Sequence, residues 1–322
     1  MIDTELTIEQ RALDIVKKEL NQYSPKQIDT VLALLEDGNT VPFIARYRKD
    51  QTGSLDEVQI REIEERHRYL VNFEKRKDEV IRLIDEQEKL TDEILKDLMN
   101  AKTLTALEDI YRPFKQKKRT KATIAKEAGL EPLAEFLLAC TSEEVEAKAA
   151  TFINEEKEIL TVEDALNGAL EIIAEKVSDN AHYRKLLREH TVQKAMLVTS
   201  LKDEEKDEKH VYEMYYDYQE LVKTIVPHRI LAVNRAEKEG VLKVSLEVDE
   251  TIPLEKMMKK EILNTNSPSA PYVKAAIEDS YKRFIAPAIE REIRSELTEK
   301  AQTQAIEIFG ENLQNLLLQA PM

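Results

Sequence analysis

The residues of this sequence that could do chemistry are mostly cations. Arg112, Lys115, Lys117, Lys118, Arg119 and Lys121 place six positive charges within ten residues, with no acid between Ile110 and Lys126, in a chain of formal net charge −15. Clustered guanidinium and ammonium groups bind phosphates by charge and displace condensed counterions, reading no base sequence in doing so. Tyr111 and Phe114, in the same segment, offer ring faces on which a base could stack. These six cations are the candidate nucleic-acid contacts, made to the backbone only. The competing description is a solvated basic loop whose aromatics are core anchors, and charge alone does not separate the two. A second cationic group, Arg46, Arg48 and Lys49, follows the apolar plug Val41-Pro42-Phe43-Ile44 and precedes a long charged helix. That helix opens with Asp56 and Glu57 and continues through Glu62, Glu64 and Glu65, which repel phosphate where a recognition helix would present basic or amide groups. Arg46 and Arg48 are therefore expected to pair with carboxylates between helices.

Nothing in the spacing supports catalysis. His67, His182, His190, His210 and His228 show no paired metal-ligand spacing, and His-Glu-x-x-His, cysteine pairs, a glycine-rich phosphate loop and Gly-x-Ser-x-Gly are all missing. The carboxylates line charged helix faces opposite apolar stripes, as on a solvated surface. Cys140, the one cysteine, sits in Glu-Phe-Leu-Leu-Ala-Cys and reads as a small buried hydrophobe. No enzyme activity, metal or cofactor is expected.

The elements that must position the cations are helices. Six glycines and no tryptophan in 322 residues argue against an all-β or doubly wound chain, and the apolar fraction of 42% suffices for real cores. No apolar run approaches the length of a membrane span, and the polar start Met-Ile-Asp-Thr-Glu is unlike a signal peptide, so the cytoplasm is the expected location.

Thr7 with Gln10 and Ser24-Pro25 with Gln27 are capping boxes opening the first two helices. Ser54 with Glu57 is expected to open the long helix, which runs to about Glu86. Thr91, Thr105 and Thr161 begin later helices, and Pro113 ends one. Asp203–Lys209 reads as a solvated, mobile charge run. His210–Tyr218 and Val241–Val248 alternate with period two and are expected to form a small two-stranded element with a helix between them. From Tyr272 to Leu318 a single helix of about 70 Å is expected, kinked at Pro287. The fold class is thus mainly α: a multi-helical array with a helix-turn-helix-like N-terminal unit, a small two-stranded β element and a long C-terminal helix. The expected divisions are 1–200, 201–270 and 271–322. The chain ends in Gln-Ala-Pro-Met just after an apolar turn with no terminal cap, which reads as cut rather than finished.

VPFIARYRKDQTGSLDEVQIREIEE, LEDIYRPFKQKKRTKATIAKEAGLEPLA, VPHRILAVNRAEKEGVLKV and ENLQNLLLQAP together resemble the bacterial Tex family of transcription accessory proteins. The resemblance spans essentially the whole chain but only the front portion of the family. It implies a helical N-terminal region with a helix-turn-helix-like unit and a long central helix carrying later domains. Those are an RNase H-fold domain, helix-hairpin-helix repeats and an OB-fold RNA-binding domain, and RNA binding in the family is chiefly attributed to the last. What it implies for this chain is the N-terminal scaffold of a nucleic-acid-binding transcription factor, with residues 112–121 adding an auxiliary contact to RNA or DNA. A helical docking platform for polymerase or ribosome components, touching no nucleic acid, is the alternative.

Overall fold

The computed structural model describes residues 6–116 and 118–319. The chain divides into two compact units, one ending at Phe114 and one beginning at Lys115.

The first unit comprises α1 (Ile8–Glu19), α2 (Pro25–Glu36), α3 (Val41–Tyr47), α4 (Lys49–Thr52), α5 (Glu57–Asp85), α6 (Asp92–Asn100) and α7 (Leu104–Tyr111). Reciprocal capping boxes open α1 at Thr7 and α2 at Ser24, as their spacing predicts. The box that opens α5 is Asp56 with Gln59, not Ser54 with Glu57. Gly53 and Ser54 both adopt left-handed backbone (φ 68° and 65°). An N-cap needs extended backbone, so the helix starts only after the chain has turned. Similarly, α7 is capped by Thr103 rather than Thr105. The front half of α5 buries Ile60 and Ile63 against Ala12, Val16, Ile28, Val31 and Ile44. Its rear half buries Phe73, Val80 and Ile84 with Leu98 and Leu107 in a separate small core. Between the two, Glu74 is buried with Lys77 at 2.5 Å and Arg11 at 3.0 Å, and Arg11 also reaches Asp78 at 2.6 Å. This network pins α1 to α5.

The second unit contains α8 (Lys121–Glu127), α9 (Glu131–Leu138), α10 (Val145–Ala150), α11 (Val162–Ser178), α12 (Ala181–Lys194), β1 (Met196–Leu201), β2 (Asp217–Leu221), α13 (Pro227–Glu239), β3 (Leu242–Glu247), α14 (Thr251–Glu261), α15 (Ala270–Ser280) and α16 (Ala286–Leu317). Its centre is α11, which buries Ala165, Ala169, Ile173 and Val177 and packs against α8, α9 and α15. Gly168 permits the closest approach, since a Cβ there would lie 2.3 Å from a methyl of Leu130. Cys140 is buried and its thiol faces the carbonyl of Leu137, in keeping with the apolar reading.

The small sheet has three antiparallel strands in the order β2-β1-β3, not two. The unforeseen strand is the central one, in which Thr199 pairs with Tyr218 on one side and Val244 on the other. Met196–Leu201 reads in sequence as the end of the preceding helix, but Ala195 turns to extended backbone and closes α12. Residues 210–216 form turns rather than a strand. The reason is Asp207, which is buried, not mobile: its carboxylate accepts from the backbone N–H of Val211 (2.8 Å) and Tyr212 (2.7 Å) and from the Tyr216 hydroxyl (3.0 Å). Consumed by a side chain, those N–H groups cannot join a ladder. Residue 200, the first of the expected divisions, lies within β1, and the two compact units adjoin at Phe114 and Lys115.

The long C-terminal helix is present from Ala270 to Leu317, passing from α15 into α16 through a π-turn at Tyr281–Ile285. Pro287 lies just beyond it, where the wider turn absorbs the missing N–H and the ring's clash with the preceding turn. Arg184 and Arg188 of α12 both grip Glu292 of α16 at 2.6 and 2.8 Å, and Arg294 pairs with Glu237 of α13. After Ala301 no residue of α16 is buried.

Burial opposes ionisation of Asp207, but the two backbone donors and the Tyr216 hydroxyl outweigh it and hold the carboxyl below the usual aspartate value of 3.8. A depressed folded pKa contributes stability that is present above the unfolded value and lost as pH falls through the folded one. Asp207→Asn is expected to lower stability at neutral pH, where the carboxylate and its three donors are all in place. The gap from wild type should close as pH falls below about 4, as read by denaturant unfolding at a series of pH values.

Candidate nucleic-acid interface

The basic segment crosses the division between the units, so its residues have different surroundings. Arg112 closes the first unit on a short 3-10 turn, Arg112–Phe114, where it is half-buried and engaged by an interaction of its own. Lys117 lies outside the described residues. Lys115, Lys118, Arg119 and Lys121 open the second unit and are all exposed. They are brought together by the chain itself: Thr120 caps α8 through the backbone N–H of Thr123 (3.1 Å), and its hydroxyl also reaches Glu175 of α11 (3.2 Å), so the run of cations ends on a fixed point.

Two of these four cations are partly neutralised. Arg119 bonds Glu127 at 2.9 Å, and the Lys121 ammonium lies 3.8 Å from Glu171. The Arg119–Glu127 pair stands in solvent, and the Lys121 ammonium is exposed at a long 3.8 Å from its partner, so both contacts contribute little and yield readily to a competing anion. Lys115 and Lys118 have no ion-pair partner among the described residues. Lys121 also stands on the rim of a cleft of about 720 Å³ between α8, α11 and α15, floored by Ile124, Leu130, Ile159 and Leu170. Asp279 and Glu171 in that rim are held by Arg283, whose own pKa they raise, so the cleft is balanced in charge and is no phosphate pocket.

The aromatic part of the expected site is not available. Tyr111 is buried in the small core of the first unit, with the Arg76 guanidinium 5.4 Å from its ring centre, and Arg76 is held in turn by Glu108 (2.6 Å) and Glu79 (2.7 Å). Phe114 packs on the same core, and its carbonyl accepts from the Gln87 amide at 3.0 Å. Both rings are anchors. The expected pairing of Arg46 and Arg48 with carboxylates is not formed either. Arg46 is exposed with no ion-pair partner among the described residues, and the Arg48 guanidinium sits 5.2 Å from the centre of the Phe43 ring. Phe43 and Tyr47 are themselves exposed, an aromatic surface that sequence reasoning missed because it took the whole of Val41–Ile44 as an apolar plug.

The fold defines a multi-helical scaffold with an embedded three-stranded sheet and a solvent-facing cationic segment. The chain belongs to the Tex family: the Tex central region-like family model matches residues 141–309, and the Tex-like protein N-terminal domain matches residues 10–85. It is 51% identical over 310 residues to YdcI of Bacillus subtilis, covering 95% of this chain and 43% of that one. It is 38% identical to the transcriptional accessory protein Tex of Neisseria gonorrhoeae, covering 95% and 41%. It is 30% identical to the S1 RNA-binding domain-containing protein 1 of Pongo abelii, covering 96% and 32%. The chain therefore spans less than half the length of these curated relatives. Among the described residues no helix is long and apolar enough to cross a membrane.

The anchoring role of Tyr111 is open to a direct check. Tyr111→Ala should cost about 3 kcal/mol of unfolding free energy through loss of a buried ring, while Tyr111→Phe costs much less. Denaturant titration of the two variants measures the difference.

Proposed function

We propose that this chain is the helical scaffold of a Tex-type transcription accessory factor acting in the cytoplasm, and that Lys115, Lys118, Arg119 and Lys121, together with Lys117 and the flanking Arg112, add a sequence-independent contact to the phosphates of RNA or DNA. The observation that carries the reading is the exposure of Lys115, Lys118, Arg119 and Lys121 together on one short acid-free segment of a chain whose net charge is −15. The printed names of the gonococcal and Pongo relatives, a transcriptional accessory protein and an RNA-binding-domain protein, support it from outside the geometry. The role is binding and not catalysis. Base reading is not part of it, because the cations stand in an exposed segment and the rings beside them are buried.

The second reading is a helical docking platform for polymerase or ribosome components, without nucleic acid. What favours it is the engagement of Arg119 and Lys121 by Glu127 and Glu171, which pairs two of the four exposed cations described in the segment.

Fluorescence anisotropy of labelled single-stranded RNA and duplex DNA at two salt concentrations separates the readings. Salt-sensitive binding by the wild-type chain is expected. Reversing Lys117, Lys118 and Arg119 to glutamate should remove most of it, and the log–log salt slope should fall by roughly 0.7 to 0.9 for each phosphate no longer neutralised. Glu127→Gln, which releases Arg119, should instead strengthen binding at low salt. Unchanged binding in the reversal variant would sink the phosphate contact.

A further inference from the structure

Outside the basic segment, the short helix α3 carries a surface that the packing of the first unit does not account for. Its Val41, Ile44 and Ala45 are buried, with α3 lying against α5. Phe43, Arg46 and Tyr47, at positions i, i+3 and i+4, therefore share the opposite face. The two rings lie 5.1 Å apart at an interplanar angle of 43°. The Arg48 guanidinium braces the Phe43 ring, and Tyr47 remains 65% exposed. Arg46 and Lys49 are exposed with no ion-pair partner among the described residues, and Asp50 is the one acid between Val41 and Gly53.

A single exposed tyrosine calls for no explanation. A Tyr–Phe pair held in place by a guanidinium and flanked by two unpaired cations has the parts of a single-strand platform: a flat face for a base and positive charge for the phosphates on either side. We propose that α3 is a stacking site for single-stranded nucleic acid, in which a base lies on the Tyr47 ring and Arg46 and Lys49 meet the adjoining phosphates. Duplex DNA is a poor ligand for it, because the ring faces of its bases are already stacked on one another. An acidic protein segment would engage the cations but gain little from the open ring face. The site is built from residues of the first unit alone and does not depend on the phosphate contact at Lys115–Lys121.

The test uses the whole chain. Short single-stranded RNA and DNA carrying 5-iodouracil are photo-crosslinked to it, and the attachment point is read by mass spectrometry. Crosslinks at Tyr47 or Phe43 are expected with both strands, with any preference between them marking the natural ligand. In anisotropy titrations Tyr47→Ala should weaken single-strand binding by roughly 5- to 100-fold, whereas Tyr47→Phe should bind as wild type does. Duplex binding should be the same in both variants. Because Tyr47 stands largely in solvent, its removal should leave the thermal midpoint unchanged, so a loss of binding is not a loss of fold. Reversal of Lys117, Lys118 and Arg119 should lower affinity without moving the crosslink. Crosslinks confined to other peptides, or wild-type affinity in Tyr47→Ala, would overturn the proposal while leaving the basic-segment contact standing. Absence of any single-strand binding at low salt would also overturn it, and absence of duplex binding as well would overturn the basic-segment contact.

Discussion

The second unit depends on one charge placed where charge is costly. The Arg184 side chain is 1% exposed, and it is tolerated there because Glu292 meets it at 2.6 Å. Removing an ion from water without a partner costs several kcal/mol, so a buried guanidinium dictates where its carboxylate must be. Glu292 belongs to α16, and gripping it from α12 sets the long helix at one depth and one rotation. Ile289 and Ile293 then enter the core that the sheet and α13 share. Arg188 on the same carboxylate and Arg294 on Glu237 repeat the constraint on neighbouring turns. The first unit solves its own version with Glu74, around which Arg11 and Lys77 close.

Away from such pairs, many exposed lysines and arginines have no ion-pair partner among the described residues. The acidic total gives the chain ample carboxylate to neutralise any lysine or arginine that folding brings near one. Lys115, Lys118, Arg46 and Lys49 are among the unpaired ones, on exposed segments of two separate units. Two of these groups sit beside aromatic residues in sequence, yet only one keeps its rings in solvent. Tyr111 and Phe114 go to the core, while Phe43 and Tyr47 stay out. The two contacts proposed above, one to phosphates and one to a base, therefore fall at different places along the chain.

Much of the helical framework is legible in the sequence because helix starts are local. Thr7 with Gln10 and Ser24 with Gln27 satisfy backbone donors three residues away, and no tertiary contact is needed to read them. Features decided at long range are not legible in this way. Met-Leu-Val-Thr-Ser-Leu becomes the middle strand because partners lie on both sides of it, although its apolar run continues the stripe of α12. The alternating tyrosines after His210 imitate a strand, when their spacing reflects a turn wound about Asp207. The positive charge of residues 112–121 is plain from composition. Its partial cancellation is not, since Glu127 is eight residues from Arg119 and Glu171 fifty from Lys121. The exposure of Tyr47 follows from which side of the seven-residue α3 meets α5, and Val-Pro-Phe-Ile-Ala-Arg-Tyr does not announce that.

The π-turn at Tyr281–Ile285 acts as a phase setting for everything beyond it. It holds one residue more than an α-turn would, so each residue of α16 is set back by about 100° relative to its place in a continuous helix from α15. Rewinding those five residues as ordinary α-helix, with none deleted, would leave a perfectly good helix of nearly the same length. Glu292, Ile293 and Ala301 would point a quarter-turn or more away from the partners that receive them, and whatever α16 presents past Ala301 would be aimed in a new direction. Angular indexing, and not helical content, is what that short irregularity preserves.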